Sequence, residues 1–449
     1  MDILMEVLIE QILIYGSVFI LCAVVIYFYL RQQSKTTKET SRKIEIAKEE
    51  GLFEPVSLHP FIDLSTCIGS AACVAACPEK DILGIVDGKA SVVNASNCVG
   101  HGACFHACPV EAISLRIGTE QRGVDLPHVN ENYESNQRGV YIAGELGGMG
   151  LIKNSVEQGE MAMNHLAKSI KNSKEGYYDA VIVGAGPAGI SATLQAQKYK
   201  LKTLTLEQDS LGGTVYTFPR AKVVMTHPMQ LPLYGKVKLF DTSKQELLEL
   251  WNKVIDEHEI EITEHTKVDE ITPIEDGCFK VKCSNGEEYL TQRVLLAIGR
   301  RGTPRKLNVP GEDLPKVAYR MLDSELIRGE QILVVGGGDS AIESAMLVME
   351  ENEVTLSYRK DKFSRLKPKN RAKIHEAIDA GKIHMKYNTN LKYIEPDKVG
   401  IEHKELGTIE EIPNDRVYIF AGGEMPTKFL EKAGVEITKR FGYIMKSYK

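Results

Sequence analysis

Six of the nine cysteines in this 449-residue chain fall into a repeat. The string C-x5-C-x3-C-P occurs at Cys67, Cys73 and Cys77 with Pro78, and again at Cys98, Cys104 and Cys108 with Pro109. Each cysteine of the second copy lies 31 positions after its counterpart. Thiolates so spaced can close disulfides, hold zinc or ligate iron–sulfur clusters. Disulfides belong to oxidising compartments, and the rest of the chain reads as intracellular and nucleotide-binding. Zinc normally takes four ligands, whereas each copy offers three thiols. A tandem, tightly spaced repeat ending in Cys-Pro favours iron–sulfur ligation. Cys22, Cys278 and Cys283 are scattered, and the last two flank FKVK as plain strand residues.

The surrounding text, CIGSAACVAACP and CVGHGACFHACP, resembles a two-cluster bacterial ferredoxin across residues 59–116. That family runs C-x2-C-x2-C-x3-C-P, and its fourth cysteine ligates the other cluster. Both copies here lack the second cysteine, which is Ser70 in one and His101 in the other. The resemblance implies that Cys67, Cys73 and Cys108 hold one cluster and Cys98, Cys104 and Cys77 the other. Three thiolates per cluster leave two options open. One is a three-iron (3Fe-4S) cluster lacking a corner; the other is a 4Fe-4S cluster completed by Ser70, His101 or water.

Two glycine turns supply the second kind of chemistry. YDAVIVGAGPAGISATLQAQ is an apolar strand, a turn at Gly184, Gly186 and Gly189, and a helix. In that context G-x-G-x-x-G binds a dinucleotide: tight turn, pyrophosphate approach and helix packing need the three glycines in that order. The next strand, TLTLE, ends in Glu207, placed to accept from a ribose. The unit repeats at EQILVVGGGDSAIESAMLV, with Gly336, Gly338 and Ala341 in the key places and Asp339 and Ser340 opening the helix. Its following strand ends not in an acid but in Arg359 and Lys360, with Arg365 close behind. Basic residues there accommodate a 2′-phosphate, which favours NADPH over NADH.

Paired units of this kind resemble the flavoprotein disulfide reductase superfamily, more narrowly its thioredoxin-reductase type, which includes bacillithiol-reductase-like proteins and ferredoxin–NADP reductases. VGAGPAG, LGGT (Leu211–Thr214, with Gly213), LLAIGRRGTPRKLNVPGE (295–312) and VVGGGDSA carry the resemblance over residues 136–449. It implies FAD at the first unit and NADPH at the second, and it admits a homodimer. Two departures stand out. Where thioredoxin reductases carry a redox C-x-x-C, this chain has KVAYRMLDSELIRGEQ, without cysteine; thiol–disulfide exchange there has lost its nucleophile. The family's closing string, like GVYIAGD, appears here as NQRGVYIAGELGGMGLIKNSVEQG at 136–159, ahead of the first unit. The flavoprotein therefore reads as circularly permuted, with Gly144 and Glu145 at its FAD contact.

These sites need elements to hold them. Three domains suit the length, and the composition, 43% apolar and 26% charged, is that of a globular protein. A net charge of −6 gives no basic footprint, against nucleic acid as a partner. Ile12–Leu30 holds 19 residues without a charge, enough to cross a bilayer as a helix. Arg31, Lys35, Lys38, Arg42 and Lys43 follow it, which by the positive-inside rule puts the remainder in the cytoplasm, anchored to the inner membrane by one span. The expected class is α/β: two Rossmann-type domains of the thioredoxin-reductase type, a small α+β ferredoxin domain and one N-terminal transmembrane helix. The expected boundaries are a span at 1–30, a polar linker at 31–58, the ferredoxin-like domain at 59–117 and the FAD domain at 118–316, including the permuted segment 136–170. The NAD(P)H domain follows at 317–423, with a return to the FAD domain at 424–449. Residues 117–135 read as a surface linker.

Together the modules suggest electron flow from NADPH through FAD and two iron–sulfur clusters. The acceptor is left open among quinone, cytochrome, ferredoxin and membrane reductase, and no side chain is assigned acid–base catalysis. A membrane-tethered disulfide reductase and an iron–sulfur redox sensor are the competing classes. The first leaves the clusters without a role, and the second leaves the nucleotide motifs without one. His227, near the expected flavin, is assigned no role.

Overall fold

The computed structural model describes the chain apart from residues 1, 50–52, 54, 56–57, 80, 149, 219–222, 226–227, 240, 301–302, 323, 364–365 and 445–449. Its first element is one helix, Asp2–Glu49. The apolar side chains from Ile12 to Leu30 stand exposed along it. At about 1.5 Å per residue that stretch is roughly 29 Å long, close to a bilayer's hydrocarbon thickness. The helix then continues to Glu49, through most of the stretch expected as a polar linker. Thr40 and Ala47 are buried, the Asp87 N–H donates to Thr37 Oγ1 (3.1 Å), and Lys43 pairs with Asp81. The segment 31–49 is thus a docked helix, held by the next domain.

That domain is built around the cysteines. Leu58–Ile62 pairs antiparallel with Ile113–Ile117, and Leu83–Val86 forms a hairpin with Lys89–Val92. Two short helices, Ala72–Ala76 and Ala103–Ala107, lie inside the two cysteine repeats. Leu58, Ile82, Ile113, Leu115 and Ile117 form its core together with Cys67, Cys73 and Cys104. Part of the expected surface linker belongs to this core as well. Val124–Pro127 is a strand, and Val124 and Leu126 are buried against Ile117. Its partner is the distant strand Ile437–Arg440, and Tyr443–Ile444 adds a third strand beside Ile113–Ile117. The chain end therefore returns to the FAD domain only in part: Leu430, Ala433 and Val435 enter that core, and the strands beyond them clasp the ferredoxin-like domain.

The first glycine unit sits in a sheet ordered Ile262–Thr263, Thr203–Leu206, Tyr178–Val183, Glu288–Leu296, Phe279–Cys283, Val268–Pro273. Tyr178–Val183 runs parallel to both its neighbours. The early strand Val140–Ile142 lies parallel to Glu288–Leu296, with Val140 opposite Val294 and Ile142 opposite Leu296. Its sequel, the helix Ile152–Ser169, packs on the helix Pro187–Lys198 that follows the glycine turn. An added Cβ at Gly159 would stand 2.1 Å from the Ala188 carbonyl oxygen, so glycine is what lets the two helices touch. The 136–170 segment is thus an integral part of this sheet despite preceding it in sequence.

The second unit has its own parallel sheet, ordered Val317–Ala318, Arg416–Ile419, Gln331–Val335, Glu353–Tyr358, Ile383–Tyr387. An antiparallel sheet of Thr389–Ile394, Lys398–His403 and Thr408–Pro413 backs it. Each sheet buries continuous apolar runs such as Val181 to Val183 and Ile332 to Val334, the pattern of parallel strands covered on both faces.

Candidate cofactor sites

At the first glycine turn the three glycines meet different surroundings. Gly184 has φ +105°, and a Cβ there would lie 2.6 Å from the Ala297 carbonyl oxygen. A Cβ on Gly189 would lie 1.8 Å from the Gly184 oxygen, so the helix is pressed onto the turn. At Gly186 nothing stands within 4 Å. The turn is closed on both sides and open in the middle, at the start of a helix whose N–H groups favour an anion. That fits a dinucleotide pyrophosphate.

Gly213, Glu207 and Gly144, all singled out from the sequence, lie around this turn. Gly213 sits with its Cβ position 3.3 Å from Gly186 Cα and 3.9 Å from Glu207 Oε2. Glu207 is 4% exposed; its carboxylate accepts from the Ala185 N–H (2.7 Å) and the Asp209 N–H (3.0 Å). Burial pushes its carboxyl pKa up, against the pull of those backbone N–H groups. Its first task is to hold the glycine loop, which sequence alone does not reveal. Gly144, at φ +81°, approaches Ala188, and its N–H donates to Gln158 Oε1 (2.9 Å). Glu145 is half-buried in the same one-turn helix, Gly144–Gly147.

The second turn repeats the scheme. Gly336, at φ +146°, is closed by the Phe420 oxygen (2.7 Å from its Cβ position) and by Ala341 (3.0 Å), while Gly338 is open. Arg359 and Lys360 are exposed beyond the strand Glu353–Tyr358, as a phosphate-reading pair would need to be. Asp339 Oδ1 accepts from the Lys367 N–H (3.0 Å) and from Asn370 Nδ2 (2.7 Å). Its side chain therefore ties two helix starts together, a structural duty unseen in the motif. Ser340 is exposed. Arg365 and His227 lie outside the described residues.

In the ferredoxin-like domain the fold draws cysteines from both repeats together. Cys67, Cys73 and Cys108 line one cavity, with Ser70, Ile68, Ala90 and Val110. The Ala90 N–H points at Cys67 Sγ (3.5 Å) and the Ala112 N–H at Cys108 Sγ (3.2 Å); such contacts raise cluster potentials by stabilising negative sulfur. Cys98, Cys104 and Cys77 form a second group. Burial pushes the Cys98 thiol up to about 11, with Cys77 adding to it. Burial likewise pushes Cys104 up to about 12, with Cys98 and Cys77 adding. The crossing of Cys77 and Cys108 between repeats is the arrangement the ferredoxin resemblance implies. Among the described residues, no three His, Cys, Asp or Glu side chains close on a point that one metal ion would fill. His101 is half-buried with its Nε2 shielded from solvent.

One contact escapes sequence reasoning altogether. Asn154, 5% exposed in the first turn of the helix Ile152–Ser169, donates from Nδ2 to the Gly100 oxygen (3.4 Å) inside the second cysteine loop. Beside it, the Cβ position of Gly148 lies 2.5 Å from Ile117 Cδ1 and 3.4 Å from Leu126 Cδ2. The loop carrying Gly144 and Glu145 thus rests on the cysteine domain.

Glycine turns after parallel strands in two sheets and crossed cysteine triads define a nucleotide-dependent redox protein. The description pyridine nucleotide-disulphide oxidoreductase matches residues 181–446, and 4Fe-4S dicluster domain matches residues 59–109. The chain belongs to the pyridine nucleotide-disulphide oxidoreductase family, and it is an NAD(P)H-dependent flavin and iron–sulfur oxidoreductase. It is 28% identical to bacilliredoxin reductase of Bacillus subtilis over 271 residues, 59% of this chain and 82% of that one. A ferredoxin–NADP reductase of Ignicoccus hospitalis is 29% identical over 271 residues, 58% and 82% of the two chains. Thioredoxin reductase of Bacillus subtilis is 31% identical over 283 residues, 61% and 82%. Among solved structures, the bacillithiol disulfide reductase of Staphylococcus aureus superposes with a TM-score of 0.52 at 22% identity, over 59% of this chain and 84% of its own, a likeness of fold.

Proposed function

We propose that this protein is a membrane-anchored oxidoreductase that passes electrons from NADPH, by way of FAD and two iron–sulfur clusters, to a membrane-associated or ferredoxin-like acceptor. NADPH yields a hydride, two electrons at once, whereas a cluster carries one; flavin accepts pairs and releases single electrons. The balance is one NADPH and two oxidised one-electron acceptors giving NADP+, one proton and two reduced acceptors. In this reading Gly184, Gly186, Gly189, Glu207, Gly213, Gly144 and Glu145 hold FAD, and Gly336, Gly338, Asp339 and Ser340 hold NADPH. Arg359 and Lys360, with Arg365 from the sequence, select its 2′-phosphate. The six repeat cysteines hold the clusters, with Ser70 and His101 at the incomplete corners. The helix from Ile12 to Leu30 anchors the protein in the inner membrane, with the other domains in the cytoplasm.

The observation that carries the reading is the contact between the FAD-side segment and the cysteine domain, where Asn154 donates to Gly100 in the second cysteine loop and Gly148 packs on Ile117 and Leu126. A disulfide reductase or a sensor has no use for that seam, and KVAYRMLDSELIRGEQ offers no thiol to a disulfide. The test is NADPH oxidation with disulfides, with quinone and with ferredoxin, in wild type and in Cys73→Ala and Cys104→Ala. Transfer to quinone or ferredoxin should fall to background in both variants, while direct flavin turnover with ferricyanide persists. Strong disulfide turnover indifferent to both substitutions would replace this reading with a membrane-tethered disulfide reductase.

A further inference from the structure

The two cysteine groups are alike in sequence and share one core, but their loops face different surroundings. The Cys98–Cys104 loop faces inward. Gly100 and Gly102 are buried, and Gly100 accepts from Asn154. Asn154 lies five residues before Gly159, which is roughly 7.5 Å along a helix, and Gly159 packs on Ala188 beside the pyrophosphate turn. The Cys67–Cys73 loop faces the other way. Ile68 is 64% exposed and Ser70 is exposed. Its Gly69 packs on the backbone of Gly88, in the hairpin turn where the Asp87 N–H donates to Thr37 of the long helix. Thr37 follows Leu30, the end of the apolar stretch, by seven positions, about 10 Å of helix.

We infer that the two sites work in a fixed order: the site of Cys98, Cys104 and Cys77, with His101, receives electrons from the flavin side, and the site of Cys67, Cys73 and Cys108, with Ser70, is the exit beside the membrane face. The inference rests on the function proposed above and adds direction to it. Each NADPH supplies two electrons and releases one proton; the electrons pass singly from the inner site to the outer and leave to a one-electron acceptor. The covered loop shields the Gly100–Gly102 side of the inner site from water. The open loop leaves the outer site within reach of a partner, and its link through Gly88 and Asp87 to Thr37, on the helix that carries the apolar stretch, favours an acceptor at the membrane over one in solution.

The order is tested without the natural acceptor, by rapid-freeze electron paramagnetic resonance of the full-length protein mixed anaerobically with NADPH. His101→Cys and Ser70→Cys place a thiolate at the incomplete corner of one site each and identify its signal. The signal altered by His101→Cys should rise first and the one altered by Ser70→Cys second. A second pair covers the case in which those signals do not separate. Cys98→Ser should leave the outer site reducible by dithionite but not by NADPH, whereas Cys67→Ser should leave the inner site reducible by both. The reverse order, simultaneous rise, or NADPH reduction of the outer site in Cys98→Ser would overturn the inference. If wild type shows no cluster reduction by NADPH while dithionite reduces both clusters, the proposed function itself fails, and the order with it.

Discussion

The two cysteine repeats begin from the same backbone. Gly69 and Gly100 both take positive φ, at +71° and +77°, and Ala71 and Gly102 both open their short helices in the left-handed region. What separates them is what lies outside. The first loop presses a hairpin turn and opens Ile68 and Ser70 to solvent, whereas the second is roofed by the helix that begins near Asn154. Local sequence thus makes two equivalent cages, and the tertiary fold makes them unequal. An electron path needs that inequality, because a chain of sites with one covered end and one open end has a direction.

The comparison can be broken most severely at the glycines. A Cβ at Gly69 would fall 1.9 Å from the Gly88 carbonyl oxygen, while one at Gly100 meets Leu58 Cβ at 3.0 Å. Both substitutions add left-handed strain of about 1 kcal/mol, but only the first collides with rigid backbone. Gly69→Ala should cost about 3 kcal/mol or more and Gly100→Ala about 1–2 kcal/mol. Thermal unfolding with iron content as a second readout checks this; equal losses would mean that the hairpin yields. A middle-sized effect concerns the odd ligands. Imidazole in place of thiolate makes a cluster less negative, so His101→Cys should lower one midpoint potential by on the order of 100 mV and leave the other nearly unchanged. No shift in a redox titration would make His101 a bystander. The smallest effect lies at the helix starts. Ala71 holds φ +57° where the second copy has glycine, so Ala71→Gly should raise stability by roughly 0.5–1 kcal/mol, read as a small rise in Tm.

Much of this was legible in sequence because it depends on short-range rules. Cysteine spacing specifies a cage, and glycine spacing specifies a turn that a pyrophosphate can approach. The GVYIAGELGG string is legible because it resembles the family's closing strand and turn although it precedes the first unit, and Val140–Ile142 does join that unit's sheet. What stayed hidden depends on pairing across the chain. Val124–Pro127 has four residues and meets Ile437–Arg440 more than three hundred positions away, so neither strand carries enough pattern to separate it from a loop. Residues 31–49 read as a tether because their buried face is sparse, chiefly Thr40 and Ala47. Asn154 and Asp339 show the same limit from the polar side. One looks like an ordinary helix residue and the other like a cofactor contact and nothing more, until the partners Gly100 and Asn370 are seen.

The central claim is that reducing equivalents entering at the second nucleotide unit reach the cysteine domain. It is tested most directly by adding NADPH to the anaerobic, full-length protein while following flavin absorbance and cluster paramagnetic resonance together. Bleaching of the flavin followed by the appearance of reduced-cluster signals, with no disulfide present, is the predicted result. Bleached flavin beside clusters that stay oxidised, with disulfide substrate turned over equally well in wild type, Cys73→Ala and Cys104→Ala, would contradict it.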